Sequence, residues 1–505
     1  LENRAVDCLG APRYETQMLK KHKTTKARMI VEVPEDVIYD YCGKDADYAL
    51  RLYLYFNEEL EKQPKVAHMY ARILIPHAHA IKDIQQHGIW VDQDLLSSLR
   101  EKMEEQQATF TAEMCQLLED LIDGLSKKEV DNISWRGGDK PGSKSLSKVT
   151  GKKKLKKWAK KYNPNSHPQT HFALWDVFQL REPYLYGRDP RSADANTREA
   201  LLETYPHHPF IETLDEYKKM FTLLSRYIRK LSQFIGPDGR VRPQFHQDRT
   251  ETGRLSATDP PIHQWPRSTE MRQIFAAPPG KVIIKADYSQ AEMRIAAHVA
   301  GDKHLMEILE HEDFHSAMAA RAFRVSIENV TPEQRQAAKS VSFGLLYLMG
   351  DKKLAEGTGL PYREAVRFVR DYKASMPKVQ KRIEARKADV RGQKYVESLF
   401  GRRRRFPFIT NTNLNDLQRE AVNMPIQSAA SDMTVDAAVR VHWRLRENYP
   451  EAFVIILMHD EVVVEAPEEQ AEEVAKIVEE EMMKIPFKSK VSFPVDVTIG
   501  KSWGG

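Results

Sequence analysis

Two aliphatic stretches, each interrupted by an aspartate, constrain this chain more than any other feature. The first reads Val282-Ile283-Ile284-Lys285-Ala286-Asp287-Tyr288-Ser289-Gln290-Ala291-Glu292. The second reads Val454-Ile455-Ile456-Leu457-Met458-His459-Asp460-Glu461-Val462-Val463-Val464. Their aspartates lie 173 residues apart (460 − 287). β-Branched runs of this length predict strands buried in a sheet, each delivering a carboxylate to its end. In the second stretch the apolar run resumes at once, which predicts a hairpin with Asp460 at or near its turn. Two such carboxylates brought together can hold a pair of Mg²⁺ ions about 3.5–4 Å apart, the arrangement used for in-line phosphoryl transfer. The alternative is that each aspartate only forms a strand-end turn.

With 505 residues, 41% hydrophobic and 30% charged, the chain has the composition of a soluble protein with room for several cores. It contains no apolar run near the ~20 residues needed to cross a bilayer and no signal-peptide core at its start. Membrane partners are therefore not expected. The net charge of +5 does not by itself mark a nucleic-acid protein. The clusters Lys152-Lys153-Lys154-Leu155-Lys156-Lys157 and Arg402-Arg403-Arg404-Arg405 say more, either as phosphate-binding patches or as solvated surface. Cys8, Cys42 and Cys115 are too few and scattered for a disulfide framework or a zinc site, which points to a reducing cytoplasm. The first residue is Leu rather than Met, and a fragment of a longer protein is expected.

Between the acidic stretches, Arg335, Lys339, Phe343 and Tyr347 recur every fourth residue. On a helix they form one slanted stripe. The cations suit phosphate oxygens and the rings suit a sugar and a base, so a nucleoside triphosphate can lie along it. An amphipathic helix with core aromatics and solvated cations is the other reading.

Taken together, these patterns closely resemble the family A DNA polymerases, the bacterial DNA polymerase I and phage replicative type. Asp287-Tyr288-Ser289-Gln290-Ala291-Glu292 is similar to the family's first motif, Arg335 to Tyr347 to its second, and His459-Asp460-Glu461 to its third. Thr252-Gly253-Arg254-Leu255-Ser256 and the spacing Arg419, Asn423, Gln427 also match. The likeness runs from about residue 70 to the C-terminus.

The resemblance implies an α+β right-hand fold, with an antiparallel palm sheet and helical fingers and thumb. It implies a DNA-directed DNA polymerase that extends a primer with dNTPs on a template, as a monomer, using two Mg²⁺ ions that Mn²⁺ can replace. Asp287, Asp460 and the Tyr288 carbonyl would be metal ligands, with Glu461 beside them. Gln290, Glu292, His315, Arg335, Lys339, Phe343 and Tyr347 would bind dNTP, and Lys339 would protonate the leaving pyrophosphate. Glu292 would exclude a 2′-hydroxyl by packing under the sugar. Phe343 in place of tyrosine implies poor acceptance of dideoxynucleotides. Arg254, Arg419, Asn423, Gln427 and His459 would contact primer-template DNA, where minor-groove acceptors occur in every base pair. Gln427 and Asn423 could equally be satisfied palm residues. Three departures stand out: Leu348 where glycine is usual, Pro261-Ile262-His263-Gln264 for Asn-Leu-Gln-Asn, and an aligned segment near Thr222 that lacks a lysine often present on the family's thumb.

The expected organisation is a helical segment 1–67 followed by a polymerase domain 68–505. Within it the thumb is expected over about 93–195, the palm over 196–297 and 428–505, and the fingers over 298–427. Residues 126–170, rich in Gly, Lys, Ser, Asn and Pro, read as an extended basic protrusion, and the resemblance implies that its stretch 151–161 grips duplex phosphates as part of the thumb. A break or kink is expected near Pro425 in the helix 416–447. Tyr41 and Asp45 resemble the last motif of a 3′–5′ proofreading exonuclease, but no Asp-x-Glu strand precedes them, so a truncated domain without proofreading is expected. Three rivals stay open: a single-subunit RNA polymerase, a catalytically inactive polymerase-shaped DNA-binding protein, and, more weakly, a reverse transcriptase.

Overall fold

The computed structural model describes residues 1–133, 151–183, 189, 191–311, 313–346, 349 and 360–505. Tyr347, Leu348 and the Phe343 side chain lie outside the described residues. The chain forms two compact units. One comprises Leu1–Gln86, Phe245–Ser256 and Ile284–Thr498; the other comprises His87–Gln244, Ala257–Ile283 and Ile499–Gly505.

A four-stranded sheet, most of it in the first unit, has the spatial order Val495–Gly500, Lys281–Tyr288, Glu461–Pro467, Phe453–Met458. Val282, Ile283, Ile284, Ala286 and Tyr288 are buried, whereas Asp287 is exposed. Burial of consecutive rather than alternate residues means that both faces of the strand are covered. Each buried Val or Ile contributes roughly 1.5–3 kcal/mol, so the apolar core fixes where the strand ends. In the hairpin, Met458 pairs with Glu461, which leaves His459 and Asp460 as a two-residue turn. A register shift between Val454 and Ile456 inserts Ile455 as an extra residue.

Helix Leu414–Asn448 packs on the hairpin and on helices Ala291–Ala300, Pro377–Arg391 and Ala471–Met483. The expected break at Pro425 does not occur, because the helix runs through it. Ala421, Val422, Met424 and Pro425 are all buried. That packing outweighs the ~3 kcal/mol that an interior proline costs.

In the second unit, helix Gln93–Gly124 starts at an Asp92 cap, whose carboxylate accepts from Leu95 N at 2.9 Å. It packs on Pro209–Leu223 and Lys152–Ala159 around Leu118, Ile122, Leu155, Trp158, Phe172 and Phe210. The expectation of an aperiodic protrusion over 126–170 is corrected for its described part. Ser126 and Glu129 form a capping box for Lys127–Asn132. The lysine run is a helix whose Leu155, Trp158 and Ala159 are buried while Lys153, Lys154 and Lys157 face out. Apolar residues at i, i+3 and i+4 suffice to dock a helix whose other face is cationic. Lys152 Nζ also donates to the carbonyls of Asp123 (2.8 Å) and Leu125 (3.1 Å).

Candidate active site

The sheet brings the two acidic stretches together. Tyr288 N donates to Asp460 O at 3.2 Å, so the strand end that carries Asp287 adjoins the hairpin turn that carries Asp460. The Tyr288 ring is buried, and its hydroxyl donates to Met482 O at 2.5 Å. Burial pushes that hydroxyl's pKa up and anchors the strand from below. Tyr288 therefore has only its backbone carbonyl to offer a metal. Two non-glycine residues beside the acidic pair, Gln290 (φ 56) and His459 (φ 59), hold left-handed backbone. Such conformations persist only where the surroundings impose them. At Gln290 the strand turns directly into helix Ala291–Ala300, with the Oε1 atom buried and unpartnered.

Sequence reasoning missed Arg294, which staples this turn. Its guanidinium donates to the carbonyls of Ser289 (2.9 Å), Ser492 (3.1 Å) and Leu309 (2.8 Å). Burial lowers its pKa, and the carbonyl oxygens replace the water it has lost. The available signal was an arginine among Met293, Ile295, Ala296 and Ala297 on an otherwise apolar helix.

Among the described residues no group of three or more His, Cys, Asp or Glu side chains forms a metal cluster. Two carboxylates and a carbonyl are nonetheless a donor set suited to Mg²⁺, which keeps several waters and takes further oxygens from substrate phosphates.

The stripe helix runs from Pro332 to Leu346. Arg335 and Lys339 are exposed on it, whereas Ala337, Ala338, Val341 and Ser342 are buried. Arg335 Nε donates to Asp313 Oδ2 at 2.8 Å. Burial raises the Asp313 pKa, but Arg335 and the backbone N–H groups of His315 and Ser316 more than offset it, and the net shift is downward. His315 is buried, with its Nδ1 3.5 Å from Ser342 Oγ; that hydroxyl also bonds Tyr372 and donates to Ala338 O at 2.6 Å. Burial, with Arg335 and Lys339 nearby, depresses His315 to a pKa of about 4, against a smaller opposing pull from Asp313. At neutral pH the imidazole is uncharged, so in the unliganded chain the cationic charge here comes from Arg335 and Lys339.

Of the residues expected to contact DNA, Arg254 donates to Glu292, so two residues expected to meet different substrates meet each other. Arg419 pairs with Asp416. Arg419, Asn423 and Gln427 line one cavity of about 540 Å³ with Glu251, Thr252, Arg404 and Glu420. Asn423 Oδ1 is buried there without a partner. His459 lines a separate small cavity with Arg254, Ser431 and Thr434. Glu461 opens the strand after the turn and is partly exposed.

Asp45 has a different setting. Its carboxylate accepts from Tyr14 Oη at 2.6 Å within a cluster of Tyr14, Tyr41 and Tyr48, where Tyr14 stacks on Tyr48 with ring centroids 5.2 Å apart. Burial, followed by the bond to Asp45, pushes the Tyr14 and Tyr41 hydroxyls up.

Comparison with known proteins adds a family. A family model described as DNA polymerase family A matches residues 143–505. The thermostable DNA polymerase I of Thermus thermophilus is 37% identical over 350 residues, covering 67% of this chain and 41% of that protein. DNA polymerase I of Pseudomonas aeruginosa is 30% identical over 474 residues, covering 92% of this chain and 47% of that protein. The chain thus spans less than half the length of these relatives. The POL domain of Pol1 from M. smegmatis, solved in complex with DNA primer-template and dNTP, matches with a TM-score of 0.78 at 24% identity. That match covers 100% of this chain and 78% of the other, and speaks for the α+β polymerase fold alone.

Proposed function

This chain belongs to DNA polymerase family A, and from that membership and the meeting of its two acidic stretches we propose that it extends a primer 3′-hydroxyl with dNTPs on a DNA template. The observation that carries the reading is the hydrogen bond from Tyr288 N to Asp460 O. It makes neighbours of two carboxylate-bearing residues that the sequence separates widely.

Asp287, Asp460 and the Tyr288 carbonyl would hold two Mg²⁺ ions. When bound, these ions lower the pKa of the attacking hydroxyl and neutralise charge at the transferred phosphate. Arg335 exchanges the Asp313 carboxylate for triphosphate oxygens, a like-for-like swap of oxyanions on one guanidinium. Lys339, one turn further on the same exposed face, protonates the departing pyrophosphate. His315 meets the phosphates as a neutral hydrogen-bonding group; Gln290, at the turn into helix Ala291–Ala300, contacts the dNTP, and Glu461, after the hairpin turn, lies beside the metal ligands. Phe343 and Tyr347 take the sugar and base. Glu292 excludes the 2′-hydroxyl. Arg254, Arg419, Asn423, Gln427 and His459 meet the primer-template from the minor-groove side, where donors test pairing without reading sequence. The exposed lysines of helix Lys152–Ala159 grip duplex phosphates as part of the thumb. The sheet and the long helix from residue 428 onward act as palm, and the helices of 298–427 as fingers. We assign no proofreading to Asp45, because its carboxylate is engaged by the tyrosine cluster.

Primer extension with dNTPs and with rNTPs, comparing wild type with Asp287→Ala and Asp460→Ala, tests the assignment. Each variant is expected to lose roughly 10³-fold or more in rate, the several kcal/mol that catalytic metals supply, while DNA binding persists. Ordinary extension by either variant sinks the site, and preference for rNTPs favours the RNA polymerase reading.

A further inference from the structure

We propose that Arg402 is a positioning residue for sugar selection, acting on Glu292 through the loop that carries Arg254. The inference rests on the role given above to Glu292.

The run Arg402-Arg403-Arg404-Arg405 looks in sequence like a phosphate-binding patch, yet the fold uses each member internally. Arg403 Nε donates to Glu397 at 2.7 Å. Arg404 bridges Glu251 and Glu420, both at 2.9 Å. Arg405 donates to Gln63 Oε1 at 2.6 Å. Arg402 goes deepest. Its Nη2 donates to Asp432 Oδ1 at 2.7 Å, and its Nε lies 3.4 Å from Oδ2. Asp432 is 1% exposed, in the middle of the long helix.

The other side of the same guanidinium lies against Gly253. A Cβ built on that glycine would fall 2.4 Å from both Cζ and Nε of Arg402. Gly253 also has φ +75, which L side chains rarely adopt. Ser431, next to Asp432, donates from Oγ to Gly253 O at 3.3 Å. Thr250 Oγ1 closes the loop on Arg254 O at 2.6 Å. The next contact outward is Arg254 on Glu292. A chain of direct contacts therefore runs from the long helix through Arg402 and Gly253 to Arg254 and the carboxylate that faces the sugar. A planar guanidinium can bind Asp432 and lie flat on a glycine at once, whereas a lysine supplies only the charge. When Arg402 no longer holds the loop, Arg254 shifts, Glu292 loses a partner that orients it, and room opens for a 2′-hydroxyl.

The test is single-nucleotide insertion, read as the ratio of kcat/KM for a ribonucleotide to that for its deoxynucleotide. The variants are Glu292→Ala, Arg402→Lys, Gly253→Ala and the double Arg402→Met/Asp432→Leu. The double variant removes the clamp without stranding a buried charge, so it should melt close to wild type. Glu292→Ala is expected to raise the ratio most. The three clamp changes are each expected to raise it about tenfold, with deoxynucleotide kcat within about threefold of wild type. If Glu292→Ala raises the ratio and the clamp variants, folded by thermal melt, leave it unchanged, Arg402 serves structure only and the inference is overturned. If Glu292→Ala itself leaves the ratio unchanged, the sugar role of Glu292 falls and takes this inference with it.

Discussion

Two arginine–aspartate pairs in this molecule share their chemistry and differ in everything else. Arg335 and Asp313 meet at the surface, with side chains 45% and 43% exposed, and the Asp313 pKa is lowered. Arg402 and Asp432 meet in the interior, 15% and 1% exposed, and burial drives the Asp432 pKa up against the pull of Arg402. Water decides the difference. At the surface a carboxylate can leave its guanidinium for solvent and be replaced by a phosphate, so the pair suits a ligand site. In the interior the same departure would strand a charge in low dielectric, so the pair is permanent and suits a scaffold.

The contrast can be broken most severely at the buried pair. Arg402→Ala is expected to cost about 3–5 kcal/mol in urea unfolding, because Asp432 is left without a cation. Adding Asp432→Leu should return most of that loss, and failure to do so would mean the pair is not the reason. The surface pair should respond in the opposite measurement. Arg335→Ala is expected to lower kcat/KM for dNTP by about 10²–10³-fold while stability moves by less than about 1 kcal/mol.

Buried histidines extend the contrast to pH. Burial depresses His77, bonded through Nδ1 to Gln247 Oε1 at 3.0 Å, to a pKa of about 4, and His315 to a similar value. Between 6.5 and about 4 the unfolded chain takes up protons that the folded chain refuses, so stability should fall as pH drops through that window. His77→Asn should flatten part of the slope in urea midpoints measured from pH 7 to 4; an unchanged slope would place the acid sensitivity elsewhere. The smallest effect is expected from Asp313→Asn. Asparagine can still cap helix Phe314–Phe323, as the carboxylate does by accepting from His315 and Ser316 N–H. It no longer competes for Arg335, so KM for dNTP should drop about two- to threefold, with kcat unchanged.

Legibility followed the same division between local and long-range causes. Both acidic strands, the hairpin turn at Asp460 and the stripe helix are legible in the sequence, since each depends on residues a few positions apart. That the long helix continues through Pro425 is not legible, because the proline's local cost is outweighed by packing along the helix on the hairpin and on helices Ala291–Ala300, Pro377–Arg391 and Ala471–Met483. The docked helix Lys152–Ala159 is hard to see within 126–170, because its three apolar anchors, Leu155, Trp158 and Ala159, are few and diluted by charge. Arg294 and Arg402 were invisible as scaffold, since an arginine looks the same in sequence whether solvent or a carbonyl awaits it.

The sequence by itself settled the two acidic strands, the hairpin turn at Asp460 and the stripe helix, and which residue types are candidates for the chemistry, because periodicity and propensity are local. Only the tertiary structure decided that Asp287 adjoins Asp460 and that Arg254 reaches Glu292. It alone decided which of four consecutive arginines pairs with a buried aspartate. Those outcomes depend on which groups lose water together, and desolvation is a property of the packed whole.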